Sequence, residues 1–554
     1  YVQGDGHDAI LKTILPIRGV SNSLHRGDIL NLNDYEDDSD NTYTLTATTF
    51  QRSGTGLLTY ATIETLNVNT GTGADTINIT STTDSVNTTI NASGANTGVD
   101  TVTVTITGAS SNVVVNTFAE KDVITVTNTG ANSYTIINSE IDNDTVTLKA
   151  TGANSRVQVN SFDGTDTVNL WRSGTGSLTD INGGLNSDVI NIDSPSNSLD
   201  GVLGAVFVQG DAHDTGSTIL NIRGESNILD SGDTLNINDY GDTSNNSYVL
   251  DADTLQRDGS GLITYATVET LNINTGSGND DIAILSTKAN ANTMFGAIGS
   301  GDGVDTINVT KTGQASNVIL NTLAGNDQVT IVSTGDDSFL IVSGGENDDK
   351  VNLLNTGLDT WVQINGDSGS DTLTVEYTPS TNKVEILGDS GSDIINLYAT
   401  DGDVLLNGGL NSDVINLGTT THLVDQILGI VYISGEDHDA GSTTLTIRTD
   451  SNALDSGDTL NFNDYANNAI NTYTLTATTI QRTGTSQVTY ETIETVNLNS
   501  GTASDIINVI NTAAGINTVV NNEGTNVGVD TINVTTTGEA SNTIVKTYRG
   551  LDLI

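Results

Sequence analysis

The chain has 554 residues and a formal net charge of -51, with 18 Lys+Arg against 69 Asp+Glu. Such a surface repels phosphate, which excludes a nucleic-acid binder. The absence of Cys excludes a disulfide framework and thiolate metal sites. No segment approaches the roughly 18 apolar residues that a spanning helix needs, so no membrane span is expected.

High charge alone would suit disorder, but the 35% hydrophobic residues are patterned. From the N-terminus, Gly4-Asp5-Gly6-His7-Asp8 opens a long unit and returns as Gly210-Asp211-Ala212-His213-Asp214 and Gly435-Glu436-Asp437-His438-Asp439. Residues 27–35 return at 232–240 and 457–465, and residues 59–65 return at 264–270 and 489–495. The units are 1–206, 207–431 and 432–554, the second with one extra turn and the third truncated. Tyr1 is not an initiator Met, no signal peptide is recognised, and Leu551-Asp552-Leu553-Ile554 stops inside a repeat. A processed or partial piece of a longer protein is expected.

A shorter period runs inside each unit. Asp100, Asp122, Asp144, Asp166 and Asp188 each begin an Asp-x-U-x-U step, with U apolar. So do Asp305, Asp327, Asp349, Asp371, Asp393 and Asp413, then Asp530 and Asp552. The spacing is 22 residues almost throughout. Alternation after each Asp is a strand period, and a second alternating run follows. Gly, Asn and Asp occupy the corners. This predicts an all-β chain, a parallel β-helix (β-solenoid) of about 22 residues per turn in which neighbouring turns bury one another's core. At about 4.8 Å per turn, some 25 turns would reach roughly 120 Å. A string of immunoglobulin-like sandwiches is the rival fold.

One small insertion per long unit interrupts the rhythm after Asn33-Asp34-Tyr35. Residues 36–41 read as a turn and residues 42–50 as a strand.

The corners Gly71-Thr72-Gly73-Ala74-Asp75, Gly276-Ser277-Gly278-Asn279-Asp280 and Gly301-Asp302-Gly303-Val304-Asp305 share three positions with the pattern Gly-Gly-x-Gly-x-Asp. Two consecutive corners, 366–371 and 388–393, do likewise, and 183–188 and 408–413 keep the paired Gly. In this the chain resembles the RTX family of haemolysin-type calcium-binding repeats, found with parallel β-helices in large bacterial surface adhesins and extracellular fibres. The resemblance implies Ca²⁺ at corner carboxylates, with Asp367, Asp371, Asp389, Asp393, Asp280 and Asp305 as the candidate ligands. No copy is complete, and the family repeats every nine residues. The other reading of the same residues is that tight corners need positive φ and side-chain-to-backbone hydrogen bonds.

His7, His213 and His438 sit between carboxylates and are read as surface residues, with a transition-metal site as the alternative. Arg18, Arg223 and Arg448, with Arg52, Arg257 and Arg482, recur in a chain poor in cations, as do Glu64, Glu269 and Glu494. Local pairing that ties the insertion to the coil is expected of them. The function that fits best is an extracellular or cell-surface structural or adhesive fibre, self-associating as a filament, sheath or surface layer. A carbohydrate-binding fibre is the alternative, with cell-surface glycans as partners and Trp171 or Trp361 as sugar-stacking residues. A polysaccharide-degrading β-helix enzyme ranks third, because no nucleophile elbow, P-loop or zinc motif occurs. Sequons at Asn78, Asn308 and Asn533 share one register, as an Asn- and Thr-rich chain produces by chance.

Overall fold

The computed structural model describes residues 1–4, 11–92, 98–211, 216–296, 303–419, 421, 423–436, 441–522, 528–547 and 552–554. The described residues are strands, turns and one short 3-10 helix, Leu199–Gly201. They form two compact units: residues 1–218, 228–276 and 291–299, and residues 219–227, 277–290 and 300–554.

The first unit is a parallel β-solenoid built from two sheets. In one, Thr76–Ile79, Thr101–Val104, Val123–Val126, Thr145–Leu148, Thr167–Leu170 and Val189–Ile192 pair in parallel register. In the other, Thr65–Asn69, Asn87–Asn91, Asn112–Asn116, Tyr134–Asn138, Arg156–Asn160 and Leu178–Asn182 do the same. The chain crosses from sheet to sheet once per half-turn. β-branched residues suit this half-buried, pleated position. Alternate side chains point inward, so Val102, Val104, Ile124 and Val126 face Val113, Val115, Ile137 and Val159, all fully buried. Outward residues stack in ladders: the side-chain amide of Asn91 donates to Asn69, and Asn116, Asn138, Asn160 and Asn182 each donate to the Asn before, at 2.7–2.8 Å.

The second unit repeats the plan. Thr306–Val309, Gln328–Ile331, Lys350–Leu353, Thr372–Val375, Ile394–Leu397 and Val414–Leu417 form one parallel sheet. Asn317–Asn321, Phe339–Glu346, Trp361–Ser368, Lys383–Leu387 and Asp403–Asn407 form the other.

The insertion is a three-stranded meander that joins a sheet rather than projecting from it. Thr42–Leu45, Thr49–Arg52 and Leu58–Ala61 pair antiparallel with one another, and the meander pairs in parallel with Thr76–Ile79 on one side and Val2–Gln3 on the other. The strand predicted over 42–50 is split at residues 46–48, where the Thr46 hydroxyl accepts from the Thr49 N–H at 3.0 Å. Opposite it, Ile29–Asn33 pairs directly with Thr65–Asn69. One sheet therefore gains two strands, about 10 Å of height, that the other lacks. The next meander, Ser247–Asp251, Thr254–Arg257 and Ile263–Ala266, lies in the opposite sheet of the same unit. An odd number of half-turns separates the two, so the extra height is not accumulated on one side.

Beside the meander each long unit carries a second addition. Lys12–Ile17 and Val20–His25 form an antiparallel hairpin turning at Arg18 and Gly19, both with positive φ. It lies along the coils: Asn22 donates to the Ser110 carbonyl at 3.0 Å, and Arg18 pairs with Asp180 at 2.7 Å with its guanidinium 3.9 Å from the centre of the Phe207 ring. In the second unit, Thr443–Ile447 and Asp450–Leu454 pair likewise, and Asn452 donates to the Ala540 carbonyl at 3.0 Å.

Candidate functional site

The recurring Asp that opens each step turns into the coil. In the first unit the backbone N–H of Asp75 donates to Oδ1 of Asp100, Asp100 to Asp122, Asp122 to Asp144, Asp144 to Asp166 and Asp166 to Asp188, at 2.7–2.8 Å. In the second, Asp280 donates to Asp305, and the series runs on through Asp327, Asp349, Asp371, Asp393 and Asp413 to Asp458 at 2.6–2.9 Å. A buried N–H at a corner needs an acceptor, and the carboxylate of the next coil supplies it. Burial pushes these carboxyls up, Asp100, Asp122, Asp166, Asp305 and Asp393 to about 7, Asp144 and Asp349 to about 8, and Asp371 to about 6.

Of the six candidate calcium ligands, four are rungs of this ladder. Asp280, Asp305, Asp371 and Asp393 are buried, each paired with the main chain of an adjacent coil. Asp367 and Asp389 lie outside, one coil apart, in the left-handed backbone region at φ 67 and 65. Burial and then repulsion from Asp367 push Asp389 upward, with Glu436 adding to it. The structure thus separates Asp367 from Asp371 and Asp389 from Asp393: one of each pair faces the corner exterior and the other the interior. Among the described residues no group of three or more His, Asp or Glu side chains is arranged to hold a metal ion. In the first unit the corresponding outer corner is a polar hollow lined by Asp142, Asn143, Asp163 and Asn186, in which Asn186 donates to Asp163 at 2.8 Å.

The recurring cations and Glu residues have distinct tasks. Arg52 pairs with Asp34 at 2.7 Å and with Asp37. Arg257 pairs with Asp239 at 2.9 Å, Asp200 at 2.8 Å and Asp242. Arg482 pairs with Asp464 at 3.2 Å and with Asp425. Each fastens a meander to the corner preceding it, where Tyr43, Tyr248 and Tyr473 donate to the same Asp34, Asp239 and Asp464 at 2.6–2.8 Å. Glu64, Glu269 and Glu494 take the place of a rung, their Oε2 accepting from the N–H of Asp28, Asp233 and Asp458 at 2.8–3.0 Å. Sequence reasoning paired these Glu with Arg. The signal it lacked was that each stands before a Thr-U-Asn-U-Asn strand, where an Asp otherwise stands.

Trp361 stacks on Phe339 with ring centres 4.7 Å apart and packs with Leu220 and Ile222. Trp171 is half-buried with the Lys149 ammonium 5.2 Å from its ring. His7, His213 and His438, and Gly301 and Asp302 of one corner, lie outside the described residues. Asn308 and Asn533 are exposed on outward strand positions and Asn78 is half-buried. Comparison with protein-family models, with curated proteins and with solved structures finds no match to this chain.

Proposed function

We propose that this chain is a structural or adhesive fibre protein of the cell surface or extracellular space that self-associates into a filament, sheath or surface layer rather than catalysing a reaction. What supports the reading is one observation above all: the conspicuous polar residues of the repeat, the corner Asp and outward Asn, are engaged in hydrogen bonds from coil to coil. Their chemistry is used to hold neighbouring turns together, which is the requirement of a scaffold. The solenoid's strand edges offer main-chain groups for stacking of a second copy. Calcium enters the proposal at the outer corner of Asp367 and Asp389, whose mutual repulsion a hard cation would relieve.

Electron microscopy of native material, with calcium present and after chelation, tests the reading. Long filaments built of this chain are the expected result, and isolated compact monomers at all concentrations contradict it. Filaments unchanged by chelation would remove calcium from the proposal. Glycan arraying against the same material checks for the sugar-binding alternative.

A further inference from the structure

Three consecutive rungs of the second unit, Asp349, Asp371 and Asp393, differ from the ladder's other members in one respect. Each is 1–2% exposed, and each Oδ1 accepts from the main chain of the coil before at 2.7 Å. The second oxygen, Oδ2, is buried and receives no hydrogen bond. At other rungs the residue five positions earlier is a hydroxyl that serves the carboxylate: Thr117 for Asp122, Ser139 for Asp144 and Thr322 for Asp327. At these three it is Gly344, Gly366 and Gly388. A Cβ at those glycines would lie 2.4–2.6 Å from Oδ2, so no side-chain donor fits.

The charged groups that face the three are Asp327, Asp348, Asp367, Asp389 and the rungs themselves, all acidic. Lys350, next to Asp349 in sequence, is exposed. Three buried carboxylates about 4.8 Å apart, without a donor or cation at the second oxygen, cannot all stay ionised cheaply. We propose that Asp349, Asp371 and Asp393 form a proton-holding column, in which protons on Oδ2 replace the missing donors and the stack of coils loosens when alkali removes them.

The raised affinity for protons agrees in sign. Burial lifts the three to between about 6 and about 8, whereas an unfolded Asp titrates near ~3.9. The native state therefore holds protons that the unfolded chain releases. Stability is full below the unfolded value, declines as pH rises through the folded values and is flat above them. The column titrates as a set rather than residue by residue.

The test is urea unfolding of the whole chain between about pH 5 and pH 9, in high salt so that surface repulsion is screened. Stability is expected to fall across this range. The variant Asp349→Asn/Asp371→Asn keeps the Oδ1-type acceptor and needs no proton. Its pH slope should be shallower by about two protons, and it should be more stable than the wild type at the alkaline end. A wild-type profile that is flat or rising, or a variant with an unchanged slope, overturns the proposal. If the variant does not fold, infrared spectroscopy of the wild type decides: a protonated-carboxyl band at neutral pH that vanishes in alkali supports the column, and its absence at neutral pH overturns it.

Discussion

Replacing Arg257 by Ala is expected to cost the first unit about 3–5 kcal/mol, the range for removing one partner from a buried ion pair. The side chain is 4% exposed and its partners Asp239 and Asp242 are 1% and 6% exposed. Truncation would leave two carboxylates in the corner without their cation. Tyr248 would still donate to Asp239, but burial already pushes that carboxyl up with the guanidinium present. The strand Thr254–Arg257 would lose its link to both the Asp239 corner and the turn at Asp200. Arg52→Ala makes an informative contrast, because that side chain is 25% exposed and water can take over part of its role. A smaller loss is expected there. Chemical denaturation of both variants checks the order, and an Arg257→Ala chain with wild-type stability would refute the fastening role.

The second large effect is expected at a corner glycine. Gly391 has φ 146, and a Cβ added there would sit 1.4 Å from the Gly369 carbonyl oxygen of the coil before. Both objections are backbone objections, so no side chain can move aside. Gly391→Ala must shift the corner and break the bond from the Gly391 N–H to the Leu410 carbonyl, 3.1 Å long. A loss of about 3 kcal/mol is expected, from strain together with the lost bond. In a stacked architecture the damage spreads to neighbouring turns before the whole chain unfolds. Hydrogen exchange should show it first in the strands flanking the corner. Gly56→Ala is the control, since nothing lies within 4 Å of its added Cβ, and a change within about 0.5 kcal/mol is expected. Equal effects at Gly391 and Gly56 would contradict the close stacking of corners.

Much of this was legible in the sequence because a solenoid writes its geometry as a period. The 22-residue spacing of Asp100, Asp122 and Asp144 became the rungs of a ladder, and the alternation after each Asp became the buried columns. What periodicity could not give was the direction in which an Asp faces. Asp367 and Asp371 are four residues apart in one corner motif, yet one is outside and one inside, because the chain turns between them at Gly369, φ 142. The hairpin was unreadable for another reason: its partners stand far away in sequence, Asn22 on the Ser110 carbonyl and Arg18 on Asp180. Its local signal, Arg18-Gly19 between two alternating runs, was present and is the usual mark of a tight hairpin turn. The meander's alternation over 42–50 was seen, but the antiparallel fold-back at Thr46 depends on a single hydroxyl bond.

The central claim is that successive segments stack in parallel register, coil upon coil. Thr103 pairs with Thr125, Thr125 with Thr147, Thr147 with Asn169 and Asn169 with Asn191. Spin labels at Thr103 and Asn191, both on outward strand positions, should therefore give a narrow distance distribution centred near 19 Å, four strand spacings of about 4.8 Å. A broad distribution centred beyond about 30 Å, as separate compact domains would give, would contradict it.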